Sequence, residues 1–149
     1  MKNKLILTAA FLLATFVLLP AQSAGDIIGK WLNADKDAHI QISREGNQFV
    51  GKIVWLKEPI DPETGKPKVD KNNPEEKLRT RKTLGLAILN GFTFKDGEWS
   101  GGTIYDPKSG NTYKSYIKLD NQNKMNVRGY IGKSWMGLGR TTEWTRIKD

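Results

Sequence analysis

Glu98-Trp99-Ser100-Gly101-Gly102-Thr103-Ile104-Tyr105-Asp106-Pro107-Lys108-Ser109-Gly110-Asn111-Thr112-Tyr113-Lys114-Ser115-Tyr116-Ile117-Lys118-Leu119 is two β-type runs on either side of one turn. In the turn, Asp106 caps, Pro107 presets φ and Gly110 accepts a left-handed conformation. The flanks therefore read as antiparallel strands over residues 98–105 and 111–119. Upstream, Lys95-Asp96-Gly97 contains Asp-Gly, a strong hairpin signal, and joins a run over 84–94. Downstream, Asp120-Asn121-Gln122-Asn123 leads into residues 124–131, and a last run covers 138–147. Residues 38–43 and 48–56 meet across Arg44-Glu45-Gly46-Asn47, and residues 29–33 form the first run. No helical period competes with this pattern beyond the first twenty-four residues.

Eight strands at hairpin spacing make a meander in which each strand lies beside its sequence neighbour. An open meander leaves two edges exposed, and closure removes both. The expected fold is all-β: an eight-stranded antiparallel up-and-down barrel, wide enough either to be filled by side chains or to hold one small ligand. In a closed barrel the first and last strands are adjacent, which would bring Trp31 beside Arg140 and Arg146 and let a guanidinium seal one end over the indole. Glycines at 51, 85, 91, 101, 102, 129 and 132 lie in or beside strands, where they permit bulges and coiling at barrel corners. Gly29-Lys30-Trp31 with a basic residue on the last strand resembles the calycin superfamily of lipocalins, fatty-acid-binding proteins and avidins.

The N-terminus reads differently. Lys2 and Lys4 precede an apolar run from Leu5 to Leu19, then Pro20 and the small side chains of Ala21-Gln22-Ser23-Ala24. This is the layout of a secretory signal over residues 1–23, with a mature domain over 24–149 in the periplasm or outside the cell. The fifteen-residue run is shorter than the roughly 20 residues of a spanning helix, and no second such run follows, so no membrane span is expected in the mature chain. Residues 24–149 hold 22 Lys and Arg against 16 Asp and Glu, a net of +6 that favours anionic partners. For an exported protein these are envelope polymers, lipid head groups or acidic proteins, and nucleic acid is not expected. With no cysteine in the chain, disulfides, thiolate metal sites, a cysteine nucleophile and a lipoprotein-type anchor are all excluded.

Residues 57–82 interrupt the strands. They carry Pro59, Pro62, Pro67 and Pro74 and eight Lys or Arg, which suits a long basic loop. Its Asp61-Pro62-Glu63-Thr64-Gly65 repeats the turn chemistry of residues 106–110. Asp61, Glu63, Asp70 and Asn72 offer oxygens to calcium, but the spacing is not that of an EF-hand and the interleaved lysines oppose a cation. One histidine without cysteine argues against zinc. His39 falls on the polar side of an alternating strand, Ser134 has no identifiable base, and Gly132-Lys133-Ser134 lacks the upstream glycine of a P-loop. No catalytic constellation stands out, so no enzyme, cofactor or metal is expected.

A larger set of residues bears on identity: Gly29-Lys30-Trp31, Gly51-Lys52-Ile53, Asp70 with Asn73-Pro74, Leu78-Arg79, Gly85-Leu86 through Gly91-Phe92, Trp99 with Gly101-Gly102, Ile104-Tyr105-Asp106-Pro107, Gly110, Tyr113 and Val127-Arg128-Gly129-Tyr130 with Gly132. In that order, over nearly the whole mature chain, they resemble the exported bacterial domain-of-unknown-function family numbered 2147. The approach to Arg140-Thr141-Thr142-Glu143-Trp144 is longer here than that resemblance leads one to expect. The resemblance implies a small secreted calycin/lipocalin-like barrel and carries no established activity.

Strand alternation puts Phe49, Gly51, Ile53 and Trp55 on one face, and Trp99, Gly101, Thr103 and Tyr105 on another. If these face inward, they form either a filled core or the aromatic wall of a pocket. Arg128 lies opposite Met125 and Val127, so it projects to solvent or reaches inward to hold an anionic head group, with Tyr105, Tyr113 and Tyr130 beside it. The expected ligand site is Arg128, Tyr105, Tyr113, Tyr130, Trp55 and Trp99. Two readings follow: a carrier of a small amphipathic molecule such as a fatty acid or lipid fragment, or a filled module that docks its basic 57–82 loop on an anionic envelope component or protein.

Overall fold

The computed structural model describes residues 21–148, so the expected signal segment, apart from its last three residues, lies outside the described residues. The strands, in chain order, are β1 (Gly29–Leu32), β2 (Ala38–Glu45), β3 (Gln48–Leu56), β4 (Ala87–Lys95), β5 (Glu98–Asp106), β6 (Asn111–Asn121), β7 (Lys124–Tyr130) and β8 (Gly139–Arg146). Each is antiparallel to the next, and β8 pairs with β1 to close the barrel. The tight β4–β5 turn uses left-handed Asp96 (φ 51°) and Gly97 (φ 77°), the pair of conformations that an Asp-Gly hairpin requires. The fourth strand starts at Ala87 instead of residue 84, because Gly85 and Leu86 are engaged in turn hydrogen bonds with Ile53 and Thr83.

The two ends differ. At one, the 3-10 helix Ala24–Ile27 enters the barrel as a plug: Ile27 is fully buried, Trp31 Nε1 donates to its carbonyl at 2.9 Å, and Trp99 Nε1 donates to that of Ala24 at 3.1 Å. The β1–β8 seam is short, with Trp31 opposite Arg146 and Leu32 opposite Thr145. Arg146 reinforces it, its guanidinium carbon 4.2 Å from the Trp31 ring centroid and its N–H groups donating to the carbonyls of Gln122, Ile28 and Asp26. Gly29 makes the room: at φ 138° it takes a backbone few residues adopt, and a Cβ there would lie 2.5 Å from Arg146 Nη1. Above the plug, Trp31, Ile42, Phe49, Phe92, Trp99, Ile117 and Met125 are 2% exposed or less and fill the interior. The connections over residues 33–37, 57–86, 107–110 and 131–138 gather at the opposite end and surround a mouth.

Two bulges reset which side chains face inward. His39 pairs with Trp55 and Ile40 with Ile53, so Val54 is an extra residue on β3. Beyond it the alternation reverses. Trp55, expected inside with Phe49, Gly51 and Ile53, stands on the outer face, 41% exposed and stacked on His39 at 4.2 Å. On β5 the register shifts between Trp99 and Gly102, with Gly101 at φ 74°. The inward series is therefore Trp99, Gly102 and Ile104, a correction to the expected 99-101-103-105 face.

Candidate functional site

Counting back along β8 from buried Trp144, Thr142 and Arg140 take the inward positions, opposite Val127 and Gly129 on β7. Across the barrel, β6 contributes Tyr113 and Ser115, and β5 contributes Ile104. These surround a recess opening at the mouth. Its main lobe, about 910 Å³, has Ile40, Ile53, Ile88, Ile104 and Trp144 as apolar lining. A second lobe of about 510 Å³ shares Ile104, Asp106, Arg140 and Thr142 with the first and adds Tyr113 and Leu138. The barrel is thus filled at its plugged end and hollow at its mouth, so each interior anticipated from the sequence occupies one half.

Charged groups of both signs line the main lobe, Asp35, Asp37, Asp61 and Glu63 with Lys68, Lys71 and Lys108 among them, and two of them, Arg140 and Asp106, are shared with the second lobe. Arg140 lines both lobes and is solvent-accessible, and among the described residues its guanidinium makes no hydrogen bond or ion pair. Asp106 accepts from the Lys108 N–H and the Ser109 hydroxyl, so its carboxylate is occupied within its own turn. Ser115 is fully buried on the inward face between Gly102 and Gly129, and its hydroxyl has no hydrogen-bond partner among the described residues. A buried hydroxyl without a partner costs roughly 1–3 kcal/mol.

The long loop is fastened beside the mouth by a buried network. Asp70 is fully buried. It accepts from the Tyr105 hydroxyl at 2.6 Å, from Asn73 Nδ2 at 2.8 Å and from Arg81 Nε and Nη2 at 2.9 Å each. Burial, and then the Asp70 carboxylate, raise the Tyr105 pKa above its ordinary value, so it stays a donor. Asn73 Oδ1 accepts from the Glu75 N–H and its carbonyl from Arg79 Nε, which ties the next turn to the same point. On the other side of the mouth, Lys108 bridges Asp35 at 2.8 Å and Asp37 at 2.7 Å, joining the β5–β6 and β1–β2 turns.

The anticipated ligand residues divide accordingly. Tyr113 faces the second lobe, Tyr130 borders it at the end of β7, and Tyr105 lines the main lobe with its hydroxyl committed to Asp70. Arg128 is on the outer face, because it sits one residue out of phase with inward Val127 and Gly129, and its Nη1 donates to Thr141 Oγ1 at 3.2 Å. Trp99 lies in the filled layer, and Trp55 is outside. Of the residues expected at the seam, Trp31 and Arg146 meet, whereas Arg140 is six residues away along β8, opposite Gly129 and at the mouth. Sequence reasoning missed Arg140 and Thr142 as recess residues, and the buried Ser115 on the inward face of β6. The signal available was the period of two running back from Trp144.

The remaining sequence expectations have these settings. His39 is half-buried against Trp55, and burial, with Lys30 nearby, lowers its pKa. Asp70 is held by Arg81, and Asp61 and Glu63 lie 3.8 and 3.6 Å from Lys71. Among the described residues no group of three or more His, Asp or Glu is placed to hold a metal, and no helix is long and apolar enough to cross a membrane. Several loop cations are paired within the loop: Lys68 with Glu58, Lys71 with Asp61 and Glu63, Lys77 with Glu75, and Arg81 with Asp70.

No curated protein matches the chain. Among solved structures, protein HP1028 from Helicobacter pylori, described as belonging to the lipocalin family, is similar, with a TM-score of 0.69 and 23% identity over 82% of this chain and 83% of that one. At that identity the likeness is one of fold. The family model for DUF2147, described as an uncharacterized protein conserved in bacteria, matches residues 29–146. Because that match takes in every strand of the closed barrel, this chain belongs to the DUF2147 family and has a lipocalin-like fold.

Proposed function

We propose that the protein binds a small amphipathic molecule, such as a fatty acid or a lipid fragment, in the mouth recess. The apolar part lies among Ile40, Ile53, Ile88 and Ile104, and an anionic head is held by Arg140 with Thr142 and Tyr113 near it. The observation that carries this reading is Arg140, a cation lining both lobes with no partner among the described residues. A guanidinium offers two parallel N–H groups to a carboxylate or phosphate, and the apolar walls remove the tail from water. The lipocalin-like fold supports the reading. So does the pairing within the 57–82 loop, which leaves the loop less able to serve as a basic docking arm. The signal-like residues 1–23 support binding outside the cytoplasm.

The test is native mass spectrometry of protein recovered from its export compartment, followed by titration with a fluorescent fatty acid. A charge-assisted hydrogen bond at a partly solvated site contributes about 1.5 kcal/mol, or roughly tenfold in affinity. Arg140→Leu should weaken binding by about that factor, and Arg128→Leu should leave it unchanged. Equal affinities for wild type and Arg140→Leu, or no binding of any single-chain acid, would overturn the proposal.

A further inference from the structure

Beside the mouth, the connection between β7 and β8 carries exposed apolar side chains, of which Ile131 and Leu138 also border the second lobe while Trp135 and Met136 stand clear of it. Trp135 is 77% exposed, Ile131 64%, Leu138 58% and Met136 49%. The segment is an ordered tip: the Ile131 N–H donates to the Leu138 carbonyl at 2.9 Å, closing its base, and the Met136 N–H donates to that of Lys133 at 3.0 Å. Eight residues between two strand ends cannot fold back far enough to bury four large side chains. An apolar group of this size on an otherwise charged surface marks an interaction site.

Basic residues flank it. From Arg128 to Thr142 the chain has Arg128, Lys133 and Arg140 and no Asp or Glu, and Asp106, the carboxylate that shares the second-lobe lining with Ile131 and Leu138, is held within its own turn by Lys108 and Ser109. Lys133 Nζ lies 5.7 Å from the Trp135 ring centroid, and Lys114 Nζ donates to the Gly132 carbonyl at 3.3 Å, adding a cation at the base of the tip. A protruding tryptophan with Lys133 beside it and Lys114 at the base of its tip suits the interface of an anionic bilayer: the indole enters the head-group layer, and the lysine stems lie along it with their ammonium groups in water. Four side chains expose on the order of a few hundred Å², well short of the roughly 800 Å² that each partner of a stable protein complex buries. We infer that the 131–138 tip docks the barrel, mouth first, on a membrane surface rich in anionic lipid. It rests on Trp135, Met136 and Lys133, which lie outside the lining of both lobes.

The test uses the chain from Ala21 onward, which retains every strand and contact described and lacks the apolar segment that would bind vesicles by itself. It is floated with phosphatidylcholine vesicles, with and without a minority of phosphatidylglycerol. Binding should require phosphatidylglycerol and fall steeply with added salt. Trp135→Ser should reduce partitioning roughly tenfold. Lys133→Glu should reduce it by at least fivefold, while Trp55→Ser, an exposed indole on the outer face of β3 and across the barrel from the β7–β8 tip, should bind as wild type. Unchanged thermal melting in all three variants would show that the barrel is intact. Absence of flotation, equal binding by Trp135→Ser and wild type, or an equal loss in Trp55→Ser would overturn the inference.

Discussion

Asn in place of Asp70 keeps the shape of the side chain and removes its charge from the point where loop and barrel meet. Asp70 receives four N–H or O–H groups on two oxygens, and three of them, from Asn73 Nδ2 and from Arg81 Nε and Nη2, converge on Oδ2. An Asn oxygen can occupy that position. Its amide must then replace Oδ1 opposite the Tyr105 hydroxyl, which has to turn from donor to acceptor. Arg81 loses its counter-charge, but its side chain is 40% exposed and recovers part of its hydration. Breaking a fully buried pair costs about 3–5 kcal/mol. With one partner half in water and the hydrogen bonds partly re-made, we expect about 2–3 kcal/mol for Asp70→Asn. For a domain of this size that is a fall in Tm of about 6–10 °C. Circular dichroism would measure it, and limited trypsin digestion should show earlier cleavage after Lys68 and Lys71. Adding Arg81→Met should cost less than the separate effects combined, with a coupling of at least about 1 kcal/mol. Asp70→Asn melting with the wild type, together with an unchanged tryptic pattern, would falsify the idea that this network holds the loop.

Two further expectations follow from the ends of the barrel. Arg146→Lys removes the planar group that stacks on Trp31 and reaches three carbonyls, and should lower stability by about 2 kcal/mol, read as a lower urea midpoint at constant slope; an unshifted midpoint would refute the role of the guanidinium. At the mouth, burial pushes the Asp37 pKa up, but hydrogen bonds from Lys108 and Asn33 outweigh it and hold the group below 3.8. The stability it contributes is therefore complete above its unfolded pKa and drains away as pH falls through the folded value. The difference in Tm between wild type and Lys108→Met should be small at pH 7, since both side chains are a third exposed or more, and should vanish as the pH falls below the unfolded value of about 3.8 and through the lowered folded one. A difference that persists at low pH would refute that account.

Strand number, order and closure were legible because they rest on local chemistry: turn residues such as Asp96-Gly97, and a period of two between turns. The inner face was less legible. One inserted residue reverses every side chain after it; Val54 does not announce its bulge, and Gly101 was one of seven glycines that could have held one, so Trp55 and Tyr105 were assigned by a parity that had already changed. Arg128 and Arg140 are both basic residues near the ends of strands. Only counting from a residue known to be buried, Trp144, tells which of them faces the recess. Asp70 and Arg81 were visible as charges in a proline-rich loop. Their pairing depends on Tyr105, 35 positions from Asp70, a separation at which composition and period carry no information.

The plug has a practical corollary for handling this molecule. Ala24 lies against Trp99, and the Ile147 N–H donates to the Lys30 carbonyl at 2.9 Å, so the chain enters and leaves the barrel at the same pole. In a chain that starts at Ala21, anything attached through either end, whether a tag, a fluorophore or a sensor surface, stands a barrel's length from the opening. An immobilised protein would present its aperture to the solution whichever end holds it. The same proximity lets a short linker join the two ends, with the chain reopened at Lys95-Asp96-Gly97, to give a circular permutant whose aperture is untouched.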